Sequence, residues 1–159
     1  MSTRDFLQRR LVEPLLALMR QGVTPEKLAL SLSLGTAIGL IPILGVSTAL
    51  CAMAAVFLKL NMPAIQLVNY LLTPLQVVLI IPWLRLGELL VNAPRFPVTL
   101  ESALALRSHG TLSAVQVLAT AIVHATLAWI ALAPLVALVL YFIFKPALRH
   151  LSPRPAEPR

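Results

Sequence analysis

Charge is missing from two long stretches of this chain, and that constrains its fold more than any motif does. Between Lys27 and Arg85 the only charged side chain is Lys59, and between Arg107 and Lys145 there is none beyond what His109 and His124 can carry. Uncharged apolar runs longer than about 18 residues read as membrane spans. Charged residues make up 12% of the 159, where soluble domains have roughly 25%. So few cannot cover a domain this small in water. The expected fold class is all-α integral membrane.

The net charge of +7 is not a nucleic-acid footprint. The basic residues stand at the ends of apolar segments, where they meet lipid headgroups, and no aromatic-basic stripe is present for stacking bases. No nucleic-acid partner is expected; the bilayer, including its anionic lipids, is. The single cysteine, Cys51, lies in an apolar run and reads as a small buried hydrophobe. Asp5, Arg9, Arg10 and Glu13 interrupt the place where the apolar core of a cleavable signal would stand.

Three regions are expected. Residues 1–21 form an interfacial amphipathic helix, with Phe6, Leu7, Leu11, Leu15, Leu18 and Met19 at helical spacing and arginines on the other faces. Residues 22–148 form the membrane domain, and 149–159 a disordered basic tail. Within the membrane domain Thr24 caps a helix that carries Pro25 and Glu26 in its first turn. The uncharged run from Leu28 to Leu58 is then broken at Gly39–Thr48. Pro42 lacks the N–H that a helix would use and pushes Ile41 out of the helical region. Two shorter helices are expected, about 25–40 and 47–59, with Ser47 or Thr48 capping the second. After a turn at Asn61-Met62-Pro63 comes a long helix over about Ala64–Val91. A short interfacial helix between Thr99 and Gly110 and a third long helix over about Ala114–Phe144 follow.

Topology follows the Lys/Arg count in short flanking loops. If all three apolar runs cross once, eight cations face five; if the first run turns back near Pro42–Gly45, ten face three. The asymmetry favours a re-entrant or hairpin first segment, with the amino and carboxyl termini both cytoplasmic.

Gln66, Asn69, Thr73 and Gln76 are spaced three, four and three apart, which puts them on one helix face. Amides do not face lipid without cost, so this stripe is expected to meet protein, as interhelical packing, or to line a polar path. Ser31, Gly35 and Gly39 make a small-residue stripe on the first helix that admits a close backbone. At the break, Gly39, Pro42, Gly45, Ser47 and Thr48 are the candidate anion or lipid site, because a half-helix amino end presents free N–H groups and partial positive charge; the alternative is a simple kink. His124, one turn after Thr120, joins the polar set as an intramembrane ionisable group, or is a neutral imidazole bonded to Thr120 or to an amide of the second helix. Arg85 and Glu88, three apart, read as an interfacial ion pair. There is no phosphate-cradling Gly-rich loop with a Lys, no Cys/His cluster and no nucleophile beside a base. No catalytic residue, metal or cofactor is expected, and the chain is not read as an enzyme.

Pro25-Glu26-Lys27-Leu28-Ala29 with Gly35, the Gly39-to-Gly45 stretch with Thr48, Leu60-Asn61-Met62-Pro63-Ala64, and Pro74 followed by Arg85-Leu86-Gly87 together resemble the bacterial membrane family catalogued as domain of unknown function 2062, over roughly residues 22–145. Family members often carry Asn before the second-helix proline, where this chain has Thr73. The resemblance implies a multi-pass protein of the bacterial inner membrane. Some members are joined to glycosyltransferase domains, which implies a setting in envelope glycan or lipid-carrier metabolism. The Ile41-Pro42 and Gly45-Val46-Ser47 stretch is also similar to the Pro-Gly-Val-Ser turn of undecaprenyl phosphate translocases. Two functions follow as expectations. One is transport or presentation of an anionic lipid or envelope precursor. The other is a non-catalytic accessory role, holding a membrane partner such as a glycosyltransferase, or a second copy of the chain. Transport needs the Gln66–Gln76 stripe to line a cavity; the accessory role lets packing engage it.

Overall fold

The computed structural model describes residues 23–96 and 111–151; the helices expected over 1–21 and between Thr99 and Gly110 lie outside the described residues, as does the tail beyond Leu151. Among the described residues there are four helices and no strand: α1 (Pro25–Gly39), α2 (Val46–Phe57), α3 (Met62–Leu90) and α4 (Thr111–Leu151).

The ends of these helices follow from local chemistry. Thr24 Oγ1 accepts from the Lys27 N–H at 3.3 Å, and Pro25 fills the first turn. At the far end of α1, Pro42 has no N–H to offer the Ile38 carbonyl, and the Ile41 N–H takes it at 3.1 Å in a tighter closing turn. The expected hydroxyl cap on α2 does not form. Gly45 is the cap, with φ +83° and no side chain to contribute, while Ser47 and Thr48 already lie inside the first turn. The chain reverses through a left-handed residue there, which glycine tolerates. Asn61 caps α3 by accepting from the Ala64 N–H at 2.8 Å, so the helix starts at Met62 rather than Ala64.

Two helices stop the same way. Lys59 (φ 51°) follows α2 and Asn92 (φ 52°) follows α3 in left-handed conformation. The next N–H reaches back, Leu60 to the Ala55 carbonyl and Ala93 to the Glu88 carbonyl, in a Schellman arrangement. α4 continues past its expected end at Phe144 and takes in Arg149, His150 and Leu151, which had been assigned to the tail. Arg149 donates from Nε and Nη2 to Glu26 Oε1 at 2.8 and 2.6 Å, which holds that last turn against α1. These hydrogen bonds keep the Glu26 carboxyl below its usual range. The pair's contribution is therefore present at neutral pH and fades as pH falls through that lowered value.

α1 and α3 lie side by side in the same direction. The Asn61 N–H donates to Ser31 Oγ at 3.0 Å. A Cβ built on Gly35 would stand 2.8 Å from the Ile65 carbonyl oxygen, and one on Gly39 would stand 3.3 Å from Asn69 Cα. Ser31, Gly35 and Gly39 thus step along Asn61, Ile65 and Asn69, four residues at a time on both helices. Since Asn61 sits beside Ser31, α2 has carried the chain back down; its Cys51 and Ala55 pack with Leu34 and Ile38 of α1. α4 runs the opposite way. Its Leu148 meets Leu28, Ala29 and Ala64 at one end, and its Ala125 and Ala128 meet Trp83 and Leu84 at the other.

α3 and α4 are long and apolar enough to cross a membrane: 29 residues, and the 38 from Ala114 to Leu151. Only 22% and 11% of their most apolar windows are buried inside the protein, the reverse of a water-soluble core helix.

The tightest α3–α4 contact is at Gly87, where a Cβ would fall within the backbone carbonyl group of His124. Gly87→Ala is expected to separate the helices locally and lower the unfolding free energy by about 1–3 kcal/mol, read by thermal unfolding in detergent micelles. An unchanged midpoint would refute the close approach. Lys59→Gly, which relieves a left-handed non-glycine residue, is expected to stabilise by up to about 1 kcal/mol in the same measurement.

Candidate functional site

Six residues of non-helical backbone between Gly39 and Val46 stand beside the middle of α3, and their polar groups need partners. Side chains supply two of these partners, and a third for the adjoining end of α1. Gln76, only 2% exposed, donates from Nε2 to the Ile41 carbonyl at 2.8 Å and to the Ile43 carbonyl at 3.4 Å. Trp129 of α4 donates its indole N–H to the Ala37 carbonyl, one of those left free at the end of α1, at 2.8 Å.

The rest of the stripe reaches the start of α2. Gln66 Nε2 donates to the Thr48 carbonyl at 3.0 Å, and Asn69 Nδ2 donates to Thr48 Oγ1 at 3.2 Å and to Gln66 Oε1 at 3.4 Å. Thr73 bonds within its own helix, to the Asn69 carbonyl at 3.3 Å. The four residues do share one face, and three of them bridge α3 to the α1–α2 unit. Asn69 Oδ1 is the one stripe atom that is buried without a hydrogen-bond donor, and it lies against Gly39.

Of the break residues, Gly39 is pressed on Asn69, and Pro42 and Ser47 are buried. Thr48 receives the two amides, while Gly45 and Val46 are exposed. Nothing lies within 4 Å of a Cβ built on Gly45, so glycine is required there for its left-handed φ alone. The break is a tied turn: its Ile41 and Ile43 carbonyl groups are engaged by Gln76, and Gly45 and Val46 at the amino end of α2 are exposed.

His124 does not join this set. It lies toward the opposite end of α4, lining a cavity of about 330 Å³ with Glu88, Arg95 and Thr120. Thr120 donates to the Gln116 carbonyl rather than to the imidazole. Glu88 is 2% exposed. Its Oε2 accepts from Arg85 Nη1 at 2.9 Å, the ion pair expected from their spacing, and its Oε1 accepts from the Phe96 N–H at 2.7 Å. Glu88 is enclosed by the chain that folds back after α3, while Arg85 stays partly exposed.

Trp129 and the Phe96 clamp are absent from the sequence reading. A signal exists for the first: a tryptophan in the middle of an apolar helix carries an N–H that needs an acceptor. Nothing local announces the second.

Leaving a buried carbonyl unpaired costs about 1–3 kcal/mol. Gln76→Leu is therefore expected to destabilise the fold by about 2 kcal/mol or more, and Trp129→Phe, which keeps the ring, by about 1 kcal/mol. Near-UV circular dichroism during thermal unfolding reads both. If Gln76→Leu unfolds with the parent, the amide is not what holds the break.

Comparison with known proteins places these features in a family. No curated protein and no solved structure matches the chain. A family model does, over residues 8–155, and its description is "Uncharacterized protein conserved in bacteria (DUF2062)". The match takes in the break, the amide stripe and the Arg85–Glu88 end together, and the chain belongs to that family.

Proposed function

We propose that this is a multi-pass protein of the bacterial inner membrane in which α3 and α4 span the bilayer while α1 and α2 form a hairpin that enters it and returns. α1 and α2 are about 22 and 18 Å long at 1.5 Å per residue, short of the roughly 30 Å hydrocarbon core. Both open ends of the hairpin lie with Lys27, Lys59, Lys145 and Arg149, whereas Arg85 and Arg95 lie toward the other end. With the flanking segments included the count is ten cations against three, which supports a cytoplasmic side for the hairpin's open end and both termini.

Within that frame the accessory role is the better supported of the two functions. The observation that carries it is the engagement of Gln66, Asn69 and Gln76 by the α1–α2 unit. Transport along the stripe requires those amides to be free for a substrate. None of the described cavities is lined by a stripe residue. The chain then acts as a non-catalytic membrane scaffold that holds a partner such as a glycosyltransferase, with the hairpin as a fixed structural unit.

Cysteines placed at Ser2, Lys59 and Pro158 are expected to react with an impermeant maleimide only from the cytoplasmic face; labelling of Ser2 and Pro158 from opposite faces overturns the hairpin topology. For the role, proteoliposomes holding the chain alone are expected to move headgroup-labelled phosphatidylglycerol no faster than protein-free vesicles. Faster movement that disappears in Gln66→Leu would replace the accessory reading with transport.

A further inference from the structure

At the end of α3, away from the hairpin, Arg85 and Glu88 lie three residues apart on one helix face, and Asn92 follows just past the helix end. The left-handed turn at Asn92 sends the chain back over that face, and the bond from the Phe96 N–H to Glu88 Oε1 pins it there. This return brings Arg95 to the same cavity as Arg85, of about 490 Å³, which Asn92 also lines. A second cavity, of about 330 Å³, adjoins it through the shared Glu88, Ala93 and Arg95 and continues over Phe96, Val117 and Ala121. The first compartment thus carries both arginines and Asn92 beside Leu86 and Leu89, and the second adds the apolar side chains of Phe96, Val117 and Ala121, with Thr120 and His124 at its wall.

The charge here is not balanced internally. Glu88 is the only carboxylate among the described residues of the two linings, against two arginines. Both of its oxygens are occupied, one by Arg85 and one by the Phe96 N–H. Arg85 uses Nη1 for that bond, and a guanidinium has five N–H donors, so most of its fork remains. Arg95 makes no hydrogen bond or ion pair among the described residues. The negative end of the α3 dipole is blunted as well, because the Gly87, Glu88 and Leu89 carbonyls accept from Val91, Ala93 and Asn92.

We propose that this compartment binds the phosphate headgroup of an anionic membrane lipid, with Arg85 and Arg95 on the phosphate, Asn92 beside it, and the first part of an acyl chain over Phe96 and Val117. Glu88 is the positioning residue: it fixes Arg85 and the returning chain so that two guanidiniums face one point. Planar guanidinium groups suit phosphate because they offer parallel N–H donors. The apolar compartment alongside selects a phosphate that carries a hydrocarbon tail over a free one. The site shares no residue with the amide stripe, so it stands or falls apart from the accessory reading.

The test is native mass spectrometry of the purified full chain in detergent, titrated with phosphatidylglycerol and, separately, phosphatidylcholine. The parent is expected to retain phosphatidylglycerol preferentially. Arg95→Gln, which breaks no bond of the fold, is expected to weaken that retention about tenfold, the loss of one charge-assisted contact. Val117→Trp, which fills the apolar compartment, is expected to weaken it too. Lys59→Gln removes the same charge at the opposite end and should leave it unchanged. Equal weakening by Arg95→Gln and Lys59→Gln would reduce the effect to overall charge and overturn the site. Displacement of the lipid by glycerol phosphate at matching concentration would overturn the lipid assignment in favour of a soluble phosphate ligand.

Discussion

Backbone carbonyl groups tolerate an apolar environment only when something donates to them. The structure depends on how that demand is met where α1 stops. Pro42 makes the interruption unavoidable, and a kinked but continuous helix would have left fewer groups exposed. Instead the chain unwinds fully, and the amide of Gln76 and the indole of Trp129 reach in from two other helices. α3 and α4 are thereby fixed against α1 in register as well as in proximity.

α3 is the element through which everything is connected, and it divides its work along its length. Its first half presents Asn61, Ile65 and Asn69 to the glycines of α1 and its amides to α2. Its second half presents Trp83, Leu84 and Gly87 to the alanine-rich face of α4. Both contacts rely on backbone-to-backbone approach, where dispersion between closely fitted surfaces holds the helices together. Pro74 and Pro82 lie between these regions without ending the helix.

Much of this was legible in the sequence. Thr24, Pro25 and Pro42 marked the bounds of α1 because caps and prolines act within a few residues. The stripe of Gln66, Asn69, Thr73 and Gln76 was legible because helical periodicity alone puts them on a face. The partners were not. Gln76 lies 35 residues from Ile41, and Trp129 lies 92 from Ala37; no local pattern encodes a pairing over that distance. His124 was grouped with the stripe on its polarity, and the antiparallel course of α4 carries it to the far end. Caps were misjudged where backbone conformation outweighed side-chain chemistry: Gly45 opens α2 in place of the available hydroxyls, and a lysine closes it in a conformation that usually selects glycine.

The long separations within the break also set an order of events during synthesis. A ribosome delivers α1 and α2 before the residues that complete them exist. Until Gln76 has emerged, the Ile41 and Ile43 carbonyls have no donor from the chain, and until Trp129 has emerged, neither has Ala37. Water at the membrane surface can serve those groups in the meantime; hydrocarbon cannot. On the proposed hairpin topology, the favoured waiting place of α1 and α2 is therefore the bilayer surface, and their seating follows the arrival of α4.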